Sequence, residues 1–304
     1  MTTENGIKNR KARLKYFSGA RLFIWIKGNI IFMKRLRLKK YDMTFMYIPV
    51  LILSVLYVIM YIVRLFFPKT ANAVFFVLTA AVLCFFIAAR IRLKILKAVP
   101  ILLAISFCAV YFILGNSFFE LAAQKFGNTS PSFGFFDFLF NTAGLYDFQT
   151  LVFETSYGGA RLVDNMLVCG VVNIVKANPQ SDLVYFLSGK TVFMFALCGI
   201  LLSEKKNFKA NLLICALTLI SGNPTPALIL LLFTSPAVYF LALLINYFSY
   251  IVSEVFEVKG AFTVSPSIFE IIFHSQNVIN VFAVGFLFCA ASFFVSRLVR
   301  ERKK

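Results

Sequence analysis

Acid, histidine and paired cysteine are what this sequence has least of. Thirteen Asp and Glu stand against thirty-one Lys and Arg, and His274 is the single histidine. One histidine argues against a His-based metal site, so neither metal nor cofactor is expected. His274 itself reads as a polar residue on an amphipathic helix. The six cysteines (Cys84, Cys108, Cys169, Cys198, Cys215, Cys289) lie singly in apolar stretches without a CxxC pair, as small buried hydrophobes do. There is no Walker A loop, which excludes direct ATP drive, and no Ser/His/Asp pattern of a hydrolase. Heptads, internal repeats and a soluble domain are also missing. No secretory signal peptide is expected, because the first long apolar run follows a basic stretch of about forty residues and has no small-residue cleavage pattern.

What the chain has instead is apolar surface. Of 304 residues, 60% are apolar, 38 are Phe, and only 14% are charged; mean hydropathy is +0.83. Soluble domains run near 45–50% apolar and about 25% charged. A core of this size cannot hide so much apolar area from water, so a bilayer must cover it. Disorder and a secreted disulfide scaffold are excluded on the same grounds.

The net charge of +18 is clustered. Twelve Lys or Arg lie from Lys8 to Lys40; further groups are Arg90, Arg92, Lys94 and Lys97, then Lys205, Lys206 and Lys209, then Arg297, Arg300, Arg302, Lys303 and Lys304. Each abuts an apolar run, which is the positive-inside pattern, with basic flanks against anionic lipid. No separate basic domain exists, so nucleic acid is not an expected partner. The expectation is a multi-pass cell-membrane protein with both termini cytoplasmic.

Along the chain, residues 1–42 are basic with interspersed aromatics, and 22–33 suit a helix lying in the interface. Runs 43–67, 71–89 and 99–119 are each long enough to span a core about 30 Å thick; residues 43–133 form the amino-terminal membrane part. Residues 135–153 are apolar but interrupted by Asp137, Asn141, Gly144, Tyr146 and Asp147. A carboxylate such as Asp147 is costly against lipid and is a functional candidate. Residues 154–182 read as a loop with an amphipathic or re-entrant piece. Residues 183–203 span, 210–220 are a half-length run, 228–255 form one long helix bent at Pro236, 257–275 are amphipathic, and 278–299 are the last span. The stretch Ser221-Gly222-Asn223-Pro224-Thr225-Pro226 breaks the chain at membrane depth, where irregular backbone must be buried in protein or line a cavity. Short, Gly/Pro-interrupted apolar segments point to a transport site. The polar set inside these segments is Asn141, Tyr146, Asp147, Ser188, Lys190, Thr218, Ser221, Asn223 and Thr225. Hydroxyls and amides of this kind suit a neutral polyol such as a sugar; alternatively, each bonds a neighbouring helix.

The order of these features resembles the membrane subunit (IIC) of the glucose-type sugar phosphotransferase system. The segment 221-SGNPTPALILLLFTSPAVYFLALL-244 is similar to the family's GITEPIEF, apolar run, then AP and an aromatic, and Pro226 and Pro236 keep the spacing of the family prolines. Residues 140-FNTAGLYDF-148 resemble FNRLLIPTGLHH, 170-GVVNIVKANP-179 resembles GDLNRFFAGDP, 186-FLSGKTVFMF-195 resembles FMSGFFPIMMFG, and 260-GAFTVSPSIFEII-272 resembles GFSFSAGLIDYLL. The likeness runs in order over residues 134–300; the amino-terminal part is shorter than the family's.

The resemblance implies an all-α polytopic fold of IIC type with re-entrant segments and a homodimer. It further implies sugar carried across by an elevator-like movement and phosphorylated by a separate IIB protein. The family's glutamates fall at Thr225 and Leu228, and its two histidines at Tyr146 and Asp147. A threonine cannot take a proton at neutral pH as a carboxylate can. Either Asp147 has taken over the acid–base role, or the ligand differs, or coupled phosphorylation is lost; altered or lost coupling is the expectation. The site expected to bind sugar is Asn141, Tyr146, Asp147, Ser221, Asn223 and Thr225. A degenerate relative serving as a sensor, scaffold or partner subunit is the alternative.

Overall fold

Where no water serves the backbone, a segment must close its own hydrogen bonds, and a helix does so. The structure, a computed structural model, describes residues 43–90, 105, 109, 111, 117–125 and 129–301. The interfacial segment expected over 1–42 and most of the span expected over 99–119 lie outside these residues. The described chain is mostly helical, and five helices are long and apolar enough to cross a membrane: α1 (Met43–Phe66), α2 (Pro68–Arg90), α6 (Val184–Leu202), α9 (Pro236–Val255) and α11 (Val278–Glu301). Between them lie α3 (Ser130–Thr142), α4 (Asp147–Glu154), strands β1 (Ala160–Val163) and β2 (Met166–Cys169), α5 (Val171–Ala177), α7 (Phe208–Ser221), α8 (Thr225–Thr234) and α10 (Ile268–His274).

The axis of the fold is α6. It is apolar all round and buried over nearly its whole length, as a central helix must be. Helix α11 lies parallel to it through small residues. A Cβ added at Gly199 would stand 2.1 Å from the Cys289 carbonyl, and one at Gly285 2.7 Å from the Phe195 ring. Ser292 and Ser296 continue the buried stripe of α11. Small residues let helix backbones approach where lipid offers no hydrophobic drive. Helix α9 runs antiparallel to α6: Ser249 Oγ donates to Gly189 O (2.8 Å), and Gly260 N beyond its end donates to Ser188 Oγ (2.9 Å). The Tyr250 ring is wedged between Gly189 of α6 and Gly134 of α3.

These contacts define two ends. At one, Arg300 Nη1 donates to Glu204 Oε2 at 3.0 Å beside the end of α6; it carries Lys205, Lys206 and Lys209. The other holds the two-stranded hairpin, α5, and the loops flanking α10. From the basic end, α7 runs back along α6, with Asn211 Nδ2 donating to Leu201 O (2.9 Å) and Cys215 Sγ to Cys198 O (3.7 Å). It stops at Gly222, a left-handed residue at φ 65°, and α8 returns from the break at 222–224 toward the start of α9. From the opposite end, α3 descends along α9: Asn246 Nδ2 bonds Gly134 O (2.6 Å) and, deeper, Tyr239 Oη bonds Thr142 Oγ1 (3.1 Å). The chain turns at 143–146 and α4 climbs back, stacking Phe148 on Phe133.

Three expectations change. The chain is not purely helical, because Asp164 and Asn165 adopt positive φ and close a two-residue hairpin between β1 and β2, the conformation such a turn demands. The single helix expected over 228–255 is two, because Ser235 leaves the helical region (φ −150°, ψ 82°) before Pro236. Of the amphipathic stretch 257–275, only Ile268–His274 is helical.

Candidate functional site

The two breaks meet. Tyr146, at the tip between α3 and α4, places its hydroxyl against both Asn223 Oδ1 and Thr225 Oγ1 at the tip between α7 and α8. Thr225 Oγ1 also donates to Asn141 O at 2.6 Å. Asn223 Oδ1 accepts Thr225 N at 3.1 Å, an Asx turn that holds the tip just before α8. Ser221 sits one step back: its Oγ donates to Thr218 O (3.3 Å) and accepts Asn223 N (3.3 Å). Thus Asn141, Tyr146, Ser221, Asn223 and Thr225 form one connected group. Asp147 opens α4; its side chain lies outside the described set. Ser188 is elsewhere, holding Gly260 at the loop end.

This junction is closed. Tyr146 is 1% exposed and Thr225 fully buried. The Tyr146 ring packs on Phe75 of α2 and, edge-on, Tyr57 of α1, and the buried Arg64 guanidinium stands 5.7 Å from its centroid, a cation–π arrangement. Leu228 is buried in the apolar core beside the junction, with an aliphatic side chain that offers no hydrogen bond.

Tyr146 and Thr225 bring one hydroxyl proton each. Three contacts draw on them: Tyr146 with Asn223 Oδ1, Thr225 with Asn141 O, and the two hydroxyls with each other. The Tyr57 hydroxyl, which contacts Thr79 and reaches Tyr146 and Thr225, brings a further proton to the cluster. Asn141 Oδ1, also buried, has no partner among the described residues, nor has the buried Thr218 Oγ1 nearby in α7. Buried polar atoms in proteins are usually paired; away from the junction, Tyr250 Oη and Ser296 Oγ also have no hydrogen-bond partner among the described residues.

Beside the junction is a charged pair that the residue pattern does not reveal. Lys190 of α6 stands 2.9 Å from Asp137 Oδ2 and also donates to Gln149 Oε1 of α4. Lys190 is 2% and Asp137 5% exposed. One ammonium thus ties both arms of the α3–α4 hairpin to the central helix. Asp137 and Lys190 are each visible in the sequence as polar interruptions; their pairing across 53 positions is not.

A third element was missed altogether. Glu270 of α10 accepts Thr263 N (2.6 Å), Thr263 Oγ1 (2.7 Å) and Tyr61 Oη (3.3 Å). Its loop seats on the α7–α8 tip: Ser265 Oγ donates to Ser221 O at 3.0 Å, and a Cβ on Gly222 would meet Ser267 N at 2.5 Å. The available signal was Ser267-x-x-Glu270, a capping pattern. Ser267 Oγ does accept Glu270 N at 3.2 Å, but the carboxylate turns to Thr263 rather than back to the cap.

No model of a known protein family matches this chain, and no curated protein matches it.

Proposed function

We propose that the chain is a permease-like membrane protein that binds a neutral sugar where the two hairpin tips meet. The observation that carries this reading is the meeting of the two broken segments in one buried polar cluster, Asn141, Tyr146, Asn223 and Thr225, in which Asn141 Oδ1 has no partner among the described residues. A sugar hydroxyl brings one proton and two lone pairs. With the tips parted, one such hydroxyl can bridge the Tyr146 and Thr225 oxygens, and a second supplies the donor that Asn141 Oδ1 lacks. The junction itself is built of hydroxyls and amides, which suits a neutral polyol, and the neighbouring Lys190 is matched by Asp137.

In this reading α7 and α8 form a re-entrant hairpin from the basic face. They are about 21 Å and 15 Å long at 1.5 Å per residue, too short for a 30 Å core. The α3–α4 pair enters from the opposite face. The basic end faces the cytoplasm of a cell membrane, which puts both termini there. The resemblance to the phosphotransferase subunit supports the same site and adds a homodimer and a separate IIB protein. With Thr225 and Leu228 at the acid positions, phosphoryl coupling is weakened or gone.

A panel of radiolabelled hexoses, N-acetylhexosamines and disaccharides tests this on purified protein. One class is expected to bind saturably, and Tyr146→Phe and Asn223→Ala to weaken it roughly tenfold or more, the effect of losing a partner to a buried hydroxyl. No saturable sugar, or unchanged binding in both variants, would end the reading. The closed, buried junction favours a second one, a non-transporting relative acting as a sensor, scaffold or partner subunit. Uptake into proteoliposomes, with or without a IIB protein, would dismiss it.

A further inference from the structure

A cavity of about 220 Å³ opens at the loop end of the bundle, away from the hairpin junction. Its floor is apolar: Val172 and Val175 of α5, Val184 and Leu187 of α6, and Ala261 and Phe262 are all buried. Its mouth is cationic. Lys176 and Lys259 line it, with His274 between them and Gln276 at the edge. No described lining residue is acidic, although Asp182, Glu254 and Glu257 lie exposed on nearby segments. Glu270 stands behind the wall. Its Oε2 is taken by Thr263 N and Oγ1 and lies 3.8 Å from His274 Nε2. The lip is greasy: on α10, Phe269 and Ile272 are exposed, and Phe273, which lines the mouth, is 79% exposed.

We infer that this cavity is a binding site for an anionic single-chain amphiphile of the surrounding membrane, distinct from the junction proposed to hold sugar. The argument is charge and shape together. An apolar floor with two lysines at its rim takes a ligand that is greasy at one end and anionic at the other. Lys176 and Lys259 meet the phosphate or carboxylate, and the chain end lies along Val175, Leu187 and Phe262. A neutral solute leaves the ammonium groups unmatched, and a small anion leaves the floor empty. Exposed Phe269, Ile272 and Phe273 place the mouth where a lipid from the adjoining leaflet reaches it, since amphipathic helices of this kind lie at the head-group boundary.

The test measures retention of radiolabelled oleoyl lysophosphatidate by the purified full chain in neutral detergent. Competitors are unlabelled monoolein, glycerol phosphate and oleate. Saturable retention is expected, displaced by oleate but not by monoolein or glycerol phosphate. In a Lys176→Gln/Lys259→Gln double variant it should fall roughly tenfold or more. Lys176 is exposed and the Lys259 ammonium, among the described residues, bonds Gln180 at the surface, so the variant is expected to keep the parent's unfolding temperature. Leu287→Ser, which removes exposed apolar area on α11 away from the cavity lining, controls for detergent effects and should bind normally. Equal displacement by monoolein would show that only the chain is read. Displacement by glycerol phosphate would show a soluble-anion site, and full retention in the double variant would place binding elsewhere. Each of these results overturns the inference.

Discussion

Lys190 and Asp137 show at the residue scale what a buried charge demands. Neither is tolerable alone in the interior; together, with Gln149 taking a further proton of the ammonium, they are satisfied. Removing one partner strands the other. Lys190→Met is expected to destabilise the protein by about 3–5 kcal/mol, while Lys190→Met with Asp137→Asn recovers most of the loss. Thermal unfolding of the two in detergent reads the difference; equal losses would show that the pair is not coupled. Tyr146→Phe, which removes the hydroxyl shared with Asn223 and Thr225, is expected to cost about 1–3 kcal/mol. Tyr146, Asn223 and Thr225 were legible because each interrupts an apolar run at a helix break. The Lys190–Asp137 contact was not, because nothing in the order of residues says which face of α6 looks at α3. Glu270 was hidden for a different reason: an acid on an amphipathic stretch reads as solvated until a loop folds over it.

At the scale of elements, glycines set how closely the helices approach. The α6–α11 crossing leaves no room for a side chain at Gly199, where a Cβ would sit 2.1 Å from the Cys289 carbonyl, a backbone atom that cannot swing aside. Gly199→Leu is therefore expected to part the two helices and lower stability by at least about 1–3 kcal/mol, the cost of overpacking. The same change at Gly260, where neighbours stand no closer than 3.4 Å, should be milder. Unfolding of both variants checks the order, and the reverse ranking would contradict the packing described. Apolar length alone revealed α1, α2, α6 and α11, since little else produces such runs. It fell short at Ser235: Pro236 signals a bend there, but not that Ser235 leaves the helical region and splits the helix in two. It failed again at 160–169, where a four-residue strand pair is too short to show a period.

For the whole molecule, the account rests on two hairpins from opposite ends of the bundle meeting at their tips around a helix anchored by charge. The proposed orientation has its own check. In sealed inside-out vesicles, an impermeant thiol reagent should label a cysteine at position 206 and spare one at position 164; in right-side-out vesicles the order should reverse. The same pattern in both would reject the orientation. Contact between the tips is tested most directly in native membranes. The variant carries Tyr146→Cys and Asn223→Cys after the six native cysteines have been replaced. A short bifunctional thiol reagent is expected to join positions 146 and 223 within one chain, and not a control pair at 146 and 209, which stands at the far end of α7. Failure of the 146–223 pair to cross-link while both thiols react singly would contradict the account.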